Sequence, residues 1–392
     1  MVYIARADHR AVLRPFLIPK ADRLSHCYLI GRTGVGKTTV LRILAAQDLR
    51  RGQGFAFVDP HGDVVDRLLE QVPEERSGDV MAIDGVAGGW HFNPLQAPRG
   101  ADTALHAAGL VDVFRKIWEE DWGPRLEHLW RNVVLTLLAV PGATLGDVPR
   151  LLTDFGYRRG VVSGLSDEIV RAFWFDEYDR YSPRFRSVVV APLQNKIGAL
   201  LTDKRLRAIL TAKKSSFDLR EIMDEGGVLL INLAKGRMGE GPSSLLGSLL
   251  VSHLALAGLA RADQPEDERR PFFIYLDEFH TFSTTMLATM LSELRKYKVG
   301  MVLAHQYLSQ LEPEIRDAVL GNVGTLICFR VGAKDAGFLA REMSPVFSAD
   351  DLLSLPNYHI YVKLMINGQV SRPFSAQTFA SIDEIPGYGR AA

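Results

Sequence analysis

The sequence predicts an α/β protein with a mainly parallel sheet, an inserted all-helical subdomain and a C-terminal β-hairpin. Three observations support this prediction. Short apolar runs alternate with helix-length segments in both terminal parts of the chain, which is typical of βαβ units. The middle of the chain has its apolar residues mainly at helical spacing, and Asn367-Gly368 lies between two strand-like segments near the C-terminus. The predicted strands of the sheet cover residues 26–30, 54–58, 227–233, 271–276, 300–304 and 324–329.

The composition is that of a globular protein with a large core. Of the 392 residues, 47% are hydrophobic and 23% are charged. The 46 basic and 46 acidic side chains cancel, so a polyanionic partner needs a local concentration of positive charge. Cys27 and Cys328 fall in predicted buried strands as small apolar side chains, which fits a reducing, cytoplasmic location. We expect neither a secretory leader nor a transmembrane segment, and residues 243–260 are predicted to form a core helix.

The first strand runs into a glycine-rich loop that fits the pattern GxxxxGK[ST] at every required position. A helix follows, so strand, loop and helix come in the order that a phosphate-binding loop requires. Glycines let backbone N–H groups turn towards phosphate oxygens, and the helix N-terminus adds a favourable partial charge. Lys37 is expected to neutralise β- and γ-phosphate oxygens, and Thr38 to give its hydroxyl to Mg²⁺. The predicted ATP-binding residues of this loop are Gly31, Arg32, Thr33, Gly34, Val35, Gly36, Lys37, Thr38 and Thr39.

The second strand is followed by Asp59, Pro60 and His61. An aspartate at this position is either a carboxylate on the magnesium side of an ATP site or part of an Asp-Pro turn that leaves the strand. Both interpretations stay open on the sequence alone. Because a stronger magnesium-side candidate lies downstream, Asp59 and His61 are assigned a supporting place beside the nucleotide.

Residues 100–215 are predicted to form the helical insertion between two halves of the sheet domain. Within it, residues 180–214 carry nine basic side chains and one acid, Asp203. In a chain of zero net charge, such a stretch is either a surface for the phosphate backbone of DNA or a solvated helix face paired with acids elsewhere. The predicted DNA-binding residues are Arg184, Arg186, Lys204 and Arg205.

A strongly apolar strand that ends in Asp277 and Glu278 is the second informative segment. Asp277 is expected to hold Mg²⁺ through water, and Glu278 to accept the proton of the water that attacks the γ-phosphate. The next strand runs directly into His305 and Gln306. Gln306 either hydrogen-bonds the γ-phosphate or the attacking water, or it simply caps the strand end.

Several motifs, in their order along the chain, resemble those of one family. They are the phosphate loop, Asp59-Pro60-His61-Gly62-Asp63, Phe92-Asn93-Pro94-Leu95, Leu276-Asp277-Glu278-Phe279, Arg295-Lys296-Tyr297 and His305-Gln306. In combination they are similar to the motor domains of the HerA/FtsK superfamily, and most closely to the conjugative coupling ATPases (TraG/TraD-like) of type IV secretion systems. The resemblance spans residues 18–378 and implies a RecA-like P-loop NTPase fold.

The resemblance also implies a homo-oligomeric ring, commonly a hexamer, that hydrolyses ATP at subunit interfaces and moves DNA through a central channel. In such rings an arginine of one subunit reaches the neighbour's γ-phosphate. Arg295 is the first candidate for this role and Arg330 the second, with a structural salt bridge as the alternative for both. Coupling proteins usually carry N-terminal membrane helices and HerA-type translocases an N-terminal β-barrel, for which 25 residues are too few. We therefore expect a motor that relies on a separate nuclease, relaxase or secretion partner.

The resulting hypothesis is an ATP-dependent DNA translocase in which Lys37, Glu278, Gln306 and a trans Arg295 carry out hydrolysis. Its rival is a nucleotide-dependent assembly or signalling ATPase that recruits an effector such as a nuclease without processive movement on DNA. A motor for protein substrates also stays open, as do ring size and the kind of DNA strand. The predicted domains are a lead-in at residues 1–25, two parts of the ATPase domain at 26–99 and 216–392, and the helical insertion at 100–215.

Overall fold

The computed structural model describes residues 1–9 and 12–388, so small parts of the predicted ranges 1–25 and 216–392 lie outside the described residues. The strands are β1 Val2–His9, β2 Val12–Ile18, β3 Cys27–Ile30, β4 Gly54–Asp59, β5 Val80–Asp84, β6 Val228–Asn232, β7 Phe272–Leu276, β8 Val299–His305, β9 Thr325–Cys328, β10 His359–Lys363, β11 Met365–Ile366, β12 Gln369–Val370 and β13 Phe374–Thr378. The α-helices are α1 Lys20–Arg23, α2 Lys37–Arg50, α3 Asp63–Leu69, α4 Thr103–Ile117, α5 Pro124–Leu138, α6 Val148–Thr153, α7 Phe155–Ser163, α8 Glu168–Ala172, α9 Pro183–Thr202, α10 Lys204–Leu210, α11 Leu219–Glu225, α12 Lys235–Met238, α13 Glu240–Leu259, α14 Thr285–Leu294, α15 Pro313–Asn322, α16 Ala333–Glu342 and α17 Ala349–Ser354.

The chain forms two compact units. The first, which we call the sheet unit, comprises Met1–Ile83, Glu221–Ala234 and Gln264–Ala392. The second, which we call the helical unit, comprises Asp84–Arg220 and Lys235–Asp263. The domain boundaries taken from the sequence stay a prediction.

The sheet unit is built on an 11-stranded sheet with the order β2-β1-β13-β10-β9-β3-β8-β7-β4-β6-β5. The pairs β9–β3, β3–β8, β8–β7, β7–β4 and β4–β6 are all parallel. Strands β3, β4, β7, β8 and β9 are buried at every position, which explains their continuous apolar sequences, because parallel strands are covered on both faces. The predicted mainly parallel sheet is confirmed. Since neighbouring parallel strands end at one edge, the residues that follow β3, β7 and β8 are brought together there.

The predicted C-terminal hairpin forms, and it is a two-stranded sheet of its own. Asn367 and Gly368 have φ angles of 50° and 76° and join β11 to β12, as an Asn-Gly turn between strands predicts. Strand β13 pairs with β10 on one side and with β1 on the other, so the outer position belongs to β2. Strand β2 contains Pro15 and is largely exposed, which suits an edge strand because proline cannot donate a ladder hydrogen bond.

The segment before β3 is anchored by buried polar contacts, a role that the sequence left open. Arg23 donates hydrogen bonds to Asp48 at 2.8 and 2.6 Å and to the Tyr275 hydroxyl at 2.7 Å. Next to it, His26 adopts a φ of 62°. Its Nε2 lies 2.8 Å from the Leu291 carbonyl, and its Nδ1 accepts a hydrogen bond from the backbone N–H of Met301. One neutral imidazole thus links the start of β3 to α14 and β8.

This histidine predicts a pH dependence of stability. Burial lowers the pKa of His26 to about 4 from an ordinary value of 6.5, and the Arg295 charge lowers it further, against a backbone hydrogen bond that raises it. Because the folded-state pKa is depressed, the stabilisation is complete above pH 6.5 and is lost as the pH falls towards 4. We expect His26 to cost about 2 kcal/mol of unfolding free energy between pH 7 and pH 5.

The measurement is urea unfolding of wild type and His26→Asn at pH 7 and pH 5. Asparagine tolerates a positive φ and keeps an acceptor near the position of Nδ1, but it does not titrate. The variant should therefore be less stable at pH 7 and should lose less stability between pH 7 and pH 5. Equal losses in the two proteins would contradict the assignment.

The helical unit has an aromatic core. Trp130 and Trp174 are fully buried, and the Trp174 indole N–H donates to Thr136 Oγ1 at 2.7 Å. Helix α13 packs on α4, and α5 packs on α4 and α9. By length and composition the segment Glu240–Asp263 could cross a membrane, with a mean hydropathy of 1.6, but 89% of the apolar window is buried inside the protein. That burial is typical of the core helix predicted for residues 243–260.

Candidate active site

The loop between β3 and α2 has the backbone of an anion-binding site. Gly34 and Gly36 adopt φ angles of 78° and 114°, values that glycine reaches without steric cost. Gly36 is the N-cap residue of α2, and no side chain caps this helix end. The first N–H groups of a 14-residue helix therefore remain available to phosphate oxygens, and the helix dipole adds a favourable charge.

Lys37 is folded back under this loop. Its Nζ donates to the carbonyl oxygens of Gly31 at 2.6 Å and Arg32 at 3.0 Å. Burial lowers the pKa of Lys37, whereas the nearby carboxylates of Glu278 and Asp277 raise it. The ammonium group is thus held within the loop, between backbone oxygens and two acidic side chains.

Thr38 and Asp277 form a direct contact between the loop and the end of β7. The Thr38 hydroxyl donates to Asp277 Oδ2 at 2.7 Å. Burial raises the pKa of Asp277, the hydrogen bond from Thr38 lowers it, and the charge of Glu278 raises it again. Mg²⁺ prefers oxygen ligands and often takes one or two from a protein and the rest from phosphates and water. This pair of oxygens fits such a site.

Gln306 connects the loop to Glu278. The Thr33 hydroxyl donates to Gln306 Oε1 at 2.8 Å, and Gln306 Nε2 donates to Glu278 Oε1 at 2.7 Å. The contacts follow from the sheet order, because β8 lies between β3 and β7. Gln306 therefore does more than cap a strand end.

Glu278 itself has a strained backbone. Its φ of 48° lies in the left-handed region, which costs about 1–2 kcal/mol for a residue with a Cβ atom. Such strain is concentrated at functional sites, where the surrounding structure enforces it. His280 Nδ1 lies 3.5 Å from Glu278 Oε2, and sequence analysis missed this neighbour although it is only two residues away.

Asp59 and His61 follow β4, whereas the carboxylates of Asp277 and Glu278 follow β7. Asp59 Oδ1 accepts a hydrogen bond from the N–H of His61, and Oδ2 accepts from the N–H groups of Val64 and Val65. The Asp59 carboxylate thus caps the start of α3, in agreement with the interpretation as a turn at a strand end. His61 is exposed, so its predicted place beside the nucleotide stays a prediction.

Solved structures with the same architecture match nearly the whole chain. The conjugative coupling protein TrwB, in its unbound monoclinic form, has a TM-score of 0.67 and 17% identity, with 96% of this chain and 89% of TrwB covered. TrwB in complex with ADP and Mg²⁺ has a TM-score of 0.65 and 17% identity over 96% of this chain and 90% of the other. VirB4 of Thermoanaerobacter pseudethanolicus has a TM-score of 0.67 and 14% identity over 97% and 96%. The chain has the fold of the type IV secretion P-loop ATPases.

The fold shared with TrwB and VirB4 confirms the predicted resemblance at the level of structure. No protein-family model and no curated protein sequence matches the chain. The RecA-like sheet with an inserted helical part, predicted from the order of the motifs, is likewise confirmed.

The two candidate arginines lie at opposite ends of the parallel strands: Arg295 lies where the strands begin and Arg330 lies where they end. Arg295 is exposed and precedes β8, whereas Gln306 follows it, so a strand of about 20 Å separates the two positions. Arg330 follows β9, and its carbonyl oxygen accepts a hydrogen bond from the N–H of Arg32 at 2.9 Å. Arg330 therefore lies beside its own phosphate loop, and Arg295 does not.

In the helical unit, two of the four predicted DNA-binding cations contact backbone carbonyls and the other two are exposed. Arg186 donates to the carbonyls of Tyr178 and Asp179, and Arg205 donates to those of Arg237 and Met238. Arg184 and Lys204 are exposed, but Arg184 lies in the first turn of α9 and Lys204 begins α10, so the length of α9, about 30 Å, lies between them along the chain. Two further cations of the stretch pair with acids, Arg180 with Asp176 and Lys196 with Asp121.

Sequence analysis also missed Tyr358, which lies on the phosphate loop of this ATPase fold. A Cβ atom at Gly36 would lie only 2.9 Å from Tyr358 Cδ1, so the ring occupies space that a glycine leaves open. The Tyr358 N–H donates to the Val35 carbonyl at 3.0 Å. No motif marks this tyrosine, because its contact depends on the pairing of β10 with β9 far along the chain.

Proposed function

We propose that the chain is an ATP-hydrolysing motor subunit that moves DNA as part of a ring of identical subunits. The observation that supports this proposal most is the hydrogen-bond chain from Thr33 through Gln306 to Glu278, because it joins the phosphate loop to the candidate base. The complexes of TrwB with an ATP analogue and with ADP and Mg²⁺ support ATP and Mg²⁺ as the ligands.

The phosphates are bound by the loop amides and by Lys37, which exchanges its contacts with the carbonyls of Gly31 and Arg32 for phosphate oxygens. Thr38 would hold Mg²⁺ through its hydroxyl, and Asp277 would hold it through water. When bound, Mg²⁺ neutralises the charge that develops on the β- and γ-phosphates. The hydrogen bonds that Lys37 loses to two carbonyl oxygens are replaced by stronger, charge-assisted hydrogen bonds to phosphate oxygens.

Glu278 accepts the proton of the attacking water, and Gln306 positions that water. The amide of Gln306 is suited to this role because it already touches Glu278 on one side and the loop residue Thr33 on the other. Glu278 Oε2 is buried, lies 3.5 Å from His280 Nδ1 and receives no hydrogen bond among the described residues, so this oxygen keeps an unused acceptor position. The arrangement supports hydrolysis rather than nucleotide binding alone.

The ring is supported by the position of Arg295. Because Arg295 lies at the opposite end of the strands from its own phosphate loop, a role for it in hydrolysis requires the site of another subunit. The resemblance to coupling ATPases implies a ring that is commonly a hexamer. Heterologous contacts of this kind close into rings when the rotation between subunits permits it.

The test of the proposal is the ATPase rate with and without DNA at two salt concentrations. A DNA motor should be stimulated by DNA, and the stimulation should fall at higher salt because phosphate contacts release counterions. Brisk hydrolysis that is indifferent to DNA would overturn the motor in favour of the assembly or signalling ATPase. The pairing of Arg180 and Lys196 with acids in the helical unit favours that rival. The exposed cations without such pairs are therefore the side chains to test next.

We expect a double variant Arg184→Gln/Lys204→Gln to weaken DNA binding and to flatten its salt dependence. These two cations are exposed, and each phosphate contact that is lost should reduce the slope of log K against log salt by about 0.9. The measurement is fluorescence anisotropy of labelled duplex DNA over a salt series.

The matched control is Arg180→Gln/Lys196→Gln, which removes the same net charge from the same region. Because these two side chains already pair with Asp176 and Asp121, their replacement should change the slope less. If both double variants behave like wild type, the cationic stretch is not a DNA surface.

A further inference from the structure

We propose that the ring of Tyr358 is the platform on which the base of the bound nucleotide stacks. This inference rests on the proposed function, because it concerns the same ATP site. Tyr358 is the residue just before β10, its side chain is 48% exposed, and its ring lies against Gly36. A half-exposed aromatic ring thus lies directly beside the N-terminal end of α2, where the phosphates are proposed to bind.

The direction of the nucleotide supports this place for the base. Strand β3 has β8 on one side and β9 on the other. The β8 side carries Gln306, and Glu278 lies beyond it, so the γ-phosphate end of ATP points there. The base is at the opposite end of the molecule and therefore lies on the side of β9 and β10, where Tyr358 is found.

The backbone that carries this ring is fixed by hydrogen bonds. The backbone of Tyr358 has a φ of 64°, a conformation that residues with a Cβ atom rarely adopt. It is fixed from two sides, because the N–H of Tyr358 donates to Val35 and its carbonyl accepts from the Thr378 N–H at 2.8 Å and hydroxyl at 3.1 Å. Strain maintained next to a ligand site is typical of a functional side chain rather than of a surface residue.

Arg330 supports the same segment. Its guanidinium donates to the Asn357 Oδ1 at 2.8 Å, and its carbonyl bonds to the loop at Arg32. The strand end that carries Arg330 thus joins the phosphate loop to the residue before Tyr358. This connection fixes the distance between the platform and the phosphates.

Stacking of this kind does not read the hydrogen-bonding edge of a base, since every base has an aromatic face. We therefore expect the ATP and GTP analogues AMPPNP and GMPPNP to bind with similar affinities. Tyr358→Ala should raise the Kd of both by roughly ten-fold. Tyr358→Phe, which keeps the ring, should bind both as wild type does.

The experiment is isothermal titration calorimetry of the full chain with AMPPNP, GMPPNP and inorganic tripolyphosphate, each with Mg²⁺. Tripolyphosphate has no base, so a stacking platform predicts that Tyr358→Ala binds it as tightly as wild type does. If Tyr358→Ala loses affinity for tripolyphosphate and AMPPNP equally, the ring only positions the loop and the inference is overturned. An unchanged Kd for AMPPNP would overturn it as well.

Tyr307→Ala is the matched control, because Tyr307 is an aromatic residue with 39% exposure on the β8 side of the loop. This variant should bind all three ligands as wild type does. If it lost affinity for AMPPNP but not for tripolyphosphate, the base would lie on the β8 side of the loop, and the inference about Tyr358 would be overturned. If wild type binds neither AMPPNP nor tripolyphosphate, the proposed ATPase function fails too. Thermal unfolding of each variant shows whether the fold is retained.

Discussion

Glu278→Gln is expected to bind ATP as wild type does and to hydrolyse it more slowly by roughly 10² to 10⁴. Glutamine has the same shape and can still accept the hydrogen bond that Gln306 donates, but it cannot take a proton from water. Both residues have a Cβ atom, so the backbone strain at this position has the same energetic cost in wild type and variant. The measurement combines steady-state phosphate release with equilibrium binding of AMPPNP.

Two further variants control this result. Glu314→Gln makes the same chemical change at an exposed position in α15 and should leave both rate and affinity unchanged. Lys37→Ala should lose nucleotide binding, because no other ammonium group is held in the loop among the described residues. Wild-type turnover by Glu278→Gln would mean that another group accepts the proton.

Arg295→Ala is expected to reduce turnover by roughly 10³ to 10⁵, the range measured for trans arginines in related chemistry. Since Arg295 is remote from its own loop, the lost activity should return when the variant is mixed with Lys37→Ala. The first protein supplies an intact loop and the second an intact arginine. In a random mixture about a quarter of the interfaces combine both, because contacts in a ring are head to tail.

Arg330→Ala distinguishes the two arginines. Arg330 lies beside the loop of its own chain, so loss of its side chain should not be rescued by Lys37→Ala. If mixing with Lys37→Ala restored the activity of Arg330→Ala but not that of Arg295→Ala, Arg330 would be the arginine that acts on the neighbouring subunit. Failure of both mixtures, with each variant still assembled as wild type by analytical ultracentrifugation, would argue against a shared site.

The sequence predicted the parts of the site that lie within continuous segments. The phosphate loop, its strand and its helix are neighbours along the chain, and so are the apolar β7 and the carboxylates that follow it. Once a parallel sheet is assumed, the meeting of Thr38 with Asp277 follows, because the strand ends share one edge. These relations depend on local patterns and a single topological rule.

What the sequence did not predict depends on contacts between distant segments. Strands β1 and β2 have weak signals, and only the pairing of β1 with β13 shows that β13 is an internal strand. Proline at position 15 was the available signal for an edge strand. The contact of Tyr358 with Gly36, and the opposite positions of Arg295 and Arg330, likewise require the strand order. Their roles remain predictions.

The position of β3 has a consequence for synthesis on the ribosome. Both of its neighbours, β8 and β9, are translated at least about 270 residues later, which at about 5–20 residues per second takes roughly 15–55 s. During that time the phosphate loop has no strand partner, and the apolar edges of β3 are open to wrong pairing or to chaperones. A chain released before residue 299 cannot build the nucleotide pocket.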